Sequence, residues 1–383
     1  MMSSPNTQSP SPLPLRILIV KLADLGDVLT ITPALRALRL SYPAARIDAL
    51  VTPTGAAVLT GLDSVDELIP FNKAWFDTPS PRIAPLARAF RLASRLRRSR
   101  YSHVFLFHHL FTGFGRLKYA ALLSTTGAPF RGGIAEGHPV YLTHVVPDRG
   151  YGVLHEADYW LEVVGLAGAR NPCPAFEIAI DDAARERATS LLGADSAARR
   201  IAFYPGSGPY SVARRWPVER YRQVAARLGE ELGPGGCEIV ILGTEREAIL
   251  GEALVAGLDL PVRDLAGKTD LKTAAAVLSR CELLIGNDGG VMHLARAVGT
   301  PVVAVFGPSN HVSWGPYGAT EWSGRRNDFA RSVVVRSDLP CAPCLYRGYL
   351  PGAPEGCQSR DCLRLVESES VVRAALDLMD HKR

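Results

Sequence analysis

Short apolar runs alternate along the chain with longer stretches whose apolar positions recur every third or fourth residue. That alternation predicts βαβ units: strands buried on both faces of parallel sheets, with amphipathic helices covering them. Arg16 to Leu22, Arg46 to Val51 and Tyr101 to His108 read as strands of a first series. Thr32 and Pro33 read as N-cap and first residue of a helix through Leu40. Arg82 to Arg100 and His155 to Gly165 read as further helices. The pattern breaks between Asn171 and Arg199, where Asn171-Pro-Cys-Pro174 precedes a polar, alanine-rich helix. A second series then places strands at Ile201 to Tyr204, Glu238 to Leu242, Leu283 to Gly286 and Pro301 to Phe306. Its helices are expected over Val218 to Leu232, Glu245 to Ala256, Leu271 to Arg280 and Gly289 to Val298.

The fold class is therefore α/β, with two Rossmann-like halves whose ligands lie beyond the strand carboxyl ends, in a cleft between them. The expected division is a disordered leader over 1–14, a first domain over 15–175 and a second over 176–366. A last helix, within 367–383, is expected to pack back toward the first domain. A length of 383 residues suits two domains. Lys and Arg total 43 against 38 Asp and Glu, a mildly basic balance that offers no nucleic-acid-binding tail. No apolar run reaches the roughly 20 residues that span a bilayer. The leader is rich in Ser and Pro and lacks the apolar core of a signal peptide. Seven cysteines, an odd number, fit a reducing cytosol.

Three loops carry candidate chemistry. Leu284-Ile-Gly-Asn-Asp-Gly-Gly-Val-Met-His293 passes from a buried strand into a helix. Gly289 and Gly290 put bare N–H groups at that helix start, which attracts phosphate. Asp288 suits ribose hydroxyls, and His293 lies one turn in; equally, Asp288 suits an N-cap and His293 a packing role. Tyr204-Pro-Gly-Ser-Gly-Pro-Tyr-Ser-Val-Ala-Arg-Arg-Trp-Pro217 has the makings of an anion nest at Ser207 and Gly208, beside Arg214 and Arg215. Two such loops suit a diphosphate, while neither a G-x-G-x-x-G nor a Walker sequence is present. In the first half, Leu25-Gly26-Asp27 ends the first strand, and Asp27 reads as a general base or as a turn cap.

These segments together resemble glycosyltransferase family 9, which contains the ADP-heptose:lipopolysaccharide heptosyltransferases. The likeness rests on Arg16 to Leu38, on Pro205 to Pro217 with its Arg-Arg-Trp-Pro, and on Asp288-Gly-Gly with His293, in that order. His155-Glu-Ala-Asp-Tyr159 and Gly307-Pro308 with Gly315-Pro-Tyr-Gly318 extend it. The resemblance implies a GT-B fold, with the acceptor on the first domain and the nucleotide sugar on the second. It implies inversion at the anomeric carbon, without a metal or other cofactor. By position, Asp27 matches the catalytic base, and Arg214 stands where the family has a Lys on the donor phosphates. Ser207, Gly208 and the neighbouring Arg215 fall in the phosphate loop, and Asp288, Gly289, Gly290 and His293 at the donor-binding helix. Glu247 and Thr269 match positions near ribose and adenine. The partners so implied are an ADP-sugar and a lipid-linked or glycan acceptor, with no nucleic acid.

Two further features stand apart. Cys341, Cys344, Cys357 and Cys362 are candidates for a structural zinc knot, or free thiols. The arginine-rich helix from Arg82 suits a solvated face or, as the alternative, an anionic membrane; the expected location is the cytoplasm, with peripheral contact at the inner membrane as the second reading. Alternatives to heptosyl transfer are a family member with another nucleotide sugar, a non-catalytic nucleotide-sugar-binding protein and a sugar-nucleotide epimerase.

Overall fold

Strands that read as unbroken apolar runs must be covered on both faces, and the arrangement of the chain meets that demand twice. The computed structural model describes residues 15–72, 83–135, 137, 139–193, 198–324, 331–347, 350–352 and 354–380. The first sheet holds β1 (Arg16–Lys21), β2 (Arg46–Val51), β3 (Glu67–Pro70), β4 (His103–Leu106), β5 (Phe130–Ala135) and β6 (His144–Pro147). Its order is β3-β2-β1-β4-β5-β6, and every pairing is parallel.

The second sheet holds β7 (Arg199–Tyr204), β8 (Cys237–Ile241), β9 (Val262–Asp264), β10 (Leu283–Asn287), β11 (Val302–Phe306), β12 (Thr320–Glu321) and β13 (Ser332–Arg336). Its order is β12-β13-β11-β10-β7-β8-β9, again parallel throughout. Strand order reverses between β1 and β4 in one sheet and between β7 and β10 in the other. The loops leaving β1, β7 and β10 carry most of the candidate residues, with Glu247 after β8 and Thr269 after β9, and such reversal points are where open parallel sheets hold ligands.

The carboxyl ends of the two sheets meet through short helices. Leu25–Leu29, directly after β1, packs against Gly290–Ala297, directly after β10. Glycine makes the approach possible: a Cβ at Gly26 would lie 3.0 Å from His293 Cδ2, and one at Gly290 2.8 Å from Leu25 Cδ2. Two bonds brace the join, from Tyr317 OH to Asp158 Oδ1 at 2.7 Å and between His155 Nε2 and the Gly315 carbonyl at 3.0 Å. Phe176, on the connecting segment, stacks on Tyr317 with centroids 5.3 Å apart.

Three expectations need correction. Helix Ser368–Asp380 does not return to the first domain. It buries Val371, Val372, Ala375 and Leu378 with Trp216 and Tyr221 of the second, and Arg199 Nη2 donates to the Met379 carbonyl at 3.3 Å. The helix expected to start after Thr32 spans Thr32–Ser41 with Ile31 as N-cap, because the Thr32 hydroxyl donates instead to the Leu29 carbonyl at 2.8 Å. The expected helix from Glu245 opens as a 3-10 turn, Glu245–Glu247, before Ala248–Val255. The leader at 1–14 lies outside the described residues.

Candidate active site

Asp27 sits in the first turn of Leu25–Leu29, one short turn past β1. Lys21, the last residue of β1, is buried, with Nζ 3.5 Å from Asp27 Oδ1 and 4.5 Å from the Trp160 ring centre. A buried ammonium needs such partners, because desolvation alone disfavours its charge. The Asp27 side chain keeps 36% of its surface exposed, opening on a cavity of about 180 Å³ between the two halves. The first half lines this cavity with Lys21, His108, His109, Tyr151 and Glu156, and the second with Trp314 and Tyr346. Although its surface is accessible, the carboxylate lies deep enough that desolvation lifts its pKa above the ordinary 3.8. Lys21 pulls it back, while Glu156 and Asp24 push it further up. A carboxylate so tuned is a better base than one in bulk water.

Glu156, part of the His155–Tyr159 segment to which the sequence assigns no chemical role, joins this cavity. His155 is the N-cap of Glu156–Gly165, and its ring Nδ1 accepts from the Ala157 N–H at 3.0 Å. Glu156 is buried, with Oε2 3.4 Å from His109 Nε2. His108 Nε2 accepts the Leu22 N–H at 2.8 Å, so its neutral tautomer carries the proton on Nδ1.

On the facing side, the Gly206-Ser207-Gly208 loop is an anion nest, but the anion it binds belongs to the protein. Glu247 Oε1 accepts from the N–H groups of Ser207 at 2.9 Å and Gly208 at 3.0 Å. Its Oε2 accepts from Thr244 N–H at 3.0 Å and Thr244 Oγ1 at 2.9 Å. Burial pushes this carboxyl up, yet the Thr244, Gly208 and Ser207 donors outweigh it and hold Glu247 below the usual 4.5. Gly206 is required here, since a Cβ would fall 2.2 Å from Glu247 Oε1. In this structure the two N–H groups that the sequence assigned to an anion nest at Ser207 and Gly208 are taken up by an internal carboxylate. Arg215 joins the same unit, with Nη2 3.7 Å from Glu247 Oε1 and Nε donating to Ser207 Oγ at 3.3 Å.

Arg214 turns the other way. Its Nη2 donates to the Ser207 carbonyl at 2.5 Å and its Nη1 pairs with Asp288 Oδ2 at 3.3 Å. Asp288 is thus not the N-cap of Gly290–Ala297; Gly289 takes that place, without any side-chain cap. The first N–H groups of a helix have no partner within it, and the Arg214 guanidinium stands beside them through Asp288. A Cβ at Gly289 would meet Tyr204 Cε1 at 2.9 Å, so the bare backbone there is sterically required. Asn287, also unforeseen, binds the two loops together. Its Oδ1 accepts from Trp216 N–H at 2.9 Å and Tyr221 OH at 2.8 Å, and its Nδ2 donates to the carbonyls of Pro205 at 2.9 Å and Gly206 at 3.0 Å. His293 is buried against Gly26 and Phe176, and burial, with His155 and Arg214 nearby, pushes its pKa down to about 3. It is a neutral imidazole.

The profile of glycosyltransferase family 9 (heptosyltransferase) matches residues 89–345, which is more than half of the chain. The chain belongs to glycosyltransferase family 9. It is accordingly a glycosyltransferase, and the two facing parallel sheets are the GT-B fold of that family. Lipopolysaccharide heptosyltransferase 2 of Salmonella typhimurium is 25% identical over 319 residues, covering 77% of this chain and 84% of the relative. Lipopolysaccharide heptosyltransferase 1 of Pseudomonas aeruginosa is 27% identical over 339 residues, 86% of each. Among solved structures, a family 9 transferase of Veillonella parvula superposes with a TM-score of 0.72 at 24% identity, covering 95% of this chain and 97% of the other. ADP-heptose lps heptosyltransferase II of E. coli gives 0.69 at 20% identity, covering 96% and 99%.

Two remaining expectations for this family 9 chain fall differently. Thr269 lies half-buried in the turn between β9 and helix Leu271–Leu278, at the same carboxyl edge of the second sheet. The zinc knot finds no support. Among the described residues no three His, Cys, Asp or Glu side chains converge to hold a metal. Cys362 is packed into the second core, its thiol pKa pushed up to about 11 by burial and then by the neighbouring Cys344, Cys357 and Cys341.

Proposed function

We propose that this enzyme transfers a heptose from an ADP-heptose to a hydroxyl of a lipopolysaccharide core, inverting the anomeric carbon without a metal. The observation that carries the reading is the Gly26–Gly290 approach. It sets the helix bearing Asp27 against the helix whose amino end, with Arg214, suits a diphosphate. Asp27 would take the acceptor proton as the hydroxyl oxygen bonds to the sugar C1. The bond from C1 to the phosphate oxygen breaks, and ADP leaves with its added negative charge facing Arg214 and the Gly289–Gly290 N–H groups. Donors aimed at developing charge typically account for a few kcal/mol of barrier each.

Glu247 fits this scheme as the brace that shapes the phosphate loop, leaving direct charge compensation to Arg214. Thr269 and Asp288 remain the candidates for nucleoside contact. The nature of the donor is supported by relatives: one solved family member is described as a heptosyltransferase with ADP, at a TM-score of 0.64. The test is ADP release by the purified protein on mixing ADP-heptose with heptose-deficient lipopolysaccharide. Release that requires both substrates is expected. Release without acceptor would indicate hydrolysis, conversion of the donor to an epimeric nucleotide sugar without release would indicate an epimerase, and neither change with any donor would indicate a binding protein.

A further inference from the structure

Two adjacent helices of the first domain share an unusual surface. Ile83–Arg98 and Gly113–Thr126 lie side by side over one face of the first sheet, above Val20, Leu50, Val104 and Leu106. The first carries Arg88, Arg91, Arg95, Arg97 and Arg98, the second Arg116 and Lys118, and neither holds an Asp or Glu. These seven basic residues exceed the net charge of +5 of the whole chain, so the remainder is net acidic. Basicity is concentrated here. Arg91, Arg95 and Arg98 line one groove with Arg16, whose Nε is buried without a hydrogen-bond partner. Among the described residues, Glu67 on the adjoining strand pairs with Arg95 of this groove.

Large apolar side chains stand among the charges. Phe90 is 75% exposed, Phe114 56% and Leu117 68%. Phe114, Leu117, Ala121 and Ser124 form the outer stripe of their helix at spacings of three and four, opposite buried Tyr119, Leu122, Leu123 and Thr126. Lys118 Nζ rests 4.8 Å from the Phe114 ring centre. Arginines that reach phosphates beside apolar groups that enter the acyl boundary make an interfacial membrane surface. A soluble acidic partner would leave the phenylalanines unexplained.

We propose that this two-helix face docks on an anionic bilayer leaflet, with its arginines on lipid phosphates and Phe90, Phe114 and Leu117 inserted at the interface. The second helix follows directly on His108, His109 and Phe111, which line the catalytic cavity. Docking therefore holds that cavity at the membrane surface, where a lipid-linked acceptor presents its sugars. The docking claim stands on the surface alone and survives a wrong donor or acceptor.

Vesicle flotation with the full-length protein tests it. Phosphatidylglycerol-containing vesicles should carry the protein, pure phosphatidylcholine vesicles should not, and added salt should release it. Near an anionic surface each basic residue contributes such that replacing Arg91, Arg95 and Arg98 with Gln should weaken partitioning on the order of a hundred-fold. F114S/L117S should weaken it at any salt. Both variants alter exposed positions and should keep the wild-type melting temperature and turnover of a lipid-free acceptor. Equal binding to both vesicles, or unweakened variants, would overturn the proposal. So would displacement by millimolar inorganic phosphate alone, which means a discrete phosphate site, or self-association through this face.

Discussion

Replacing Glu247 by Gln removes a charge and reverses one oxygen from acceptor to donor while keeping the side chain's shape. In the native loop each carboxylate oxygen serves two donors, Ser207 and Gly208 N–H on Oε1 and the Thr244 N–H and hydroxyl on Oε2. A Gln amide can accept on one side only, so whichever way it turns, two donors face an NH2 group. Hydrogen bonds to a charged acceptor are worth roughly 1.5–3 kcal/mol each. Gly208 is half-buried, so water recovers part of that loss and about 2–4 kcal/mol remains. Arg215, 3.7 Å away and partly exposed, adds at most about 1 kcal/mol.

Urea unfolding should report this as a midpoint lower by roughly 1 M. The sign of the pH dependence follows from the lowered pKa. Glu247's contribution is complete above the unfolded value of 4.5 and is lost as pH falls through the lower folded value. The gap between wild type and variant should therefore be wide at neutral pH and close in acid. Nucleotide affinity should fall with the loop's shape. A stability change under about 0.5 kcal/mol at neutral pH, the level of an ordinary surface substitution, would refute the internal-anion account of this loop.

Three other outcomes follow from the same contacts. Gly26→Val drives a side chain into buried His293, 3.0 Å from the added Cβ; turnover should drop roughly a hundred-fold through misplacement of Asp27, with ADP affinity nearly unchanged by calorimetry, and unchanged turnover would deny the close approach its role. Lys21→Met removes the cation that lowers the Asp27 pKa, so the acid limb of kcat/KM, which falls as Asp27 is protonated, should move to higher pH; an unmoved limb would detach that limb from Asp27. Asn287→Ala breaks four hydrogen bonds and should lower stability by about 3–5 kcal/mol in thermal unfolding, whereas a loss below about 1 kcal/mol would show that the loops hold without it.

The sequence carries the fold wherever periodicity is strong. Helix Val218–Leu232 and strand Arg46–Val51 have the ends that their patterns predict. Strands β5 and β6 escape notice because Gly132 and Gly133 interrupt one and the other is four residues long at a sheet edge. The amphipathic helix Ser368–Asp380 declares an apolar face but not which sheet will receive it, and it went to the second. At the site, residue types and spacing locate the three loops, since a glycine-bearing turn after a buried strand is a local signal. What they could not reveal is pairing across long separations. Glu247 closes a nest 40 residues away, and Glu156 shares a cavity with Asp27. Asn287 stands next to Asp288 in plain view, yet its four partners are set by tertiary contact alone.

The most direct test of the account is Asp27→Asn, assayed for both transfer and nucleotide binding. Loss of the base should lower sugar transfer by about 10²–10⁴-fold or more, while the ADP dissociation constant measured by calorimetry stays within about twofold, since the proposed mechanism has the opposite half grip the diphosphate. Transfer near the wild-type rate, or affinity lost in step with turnover, would contradict it.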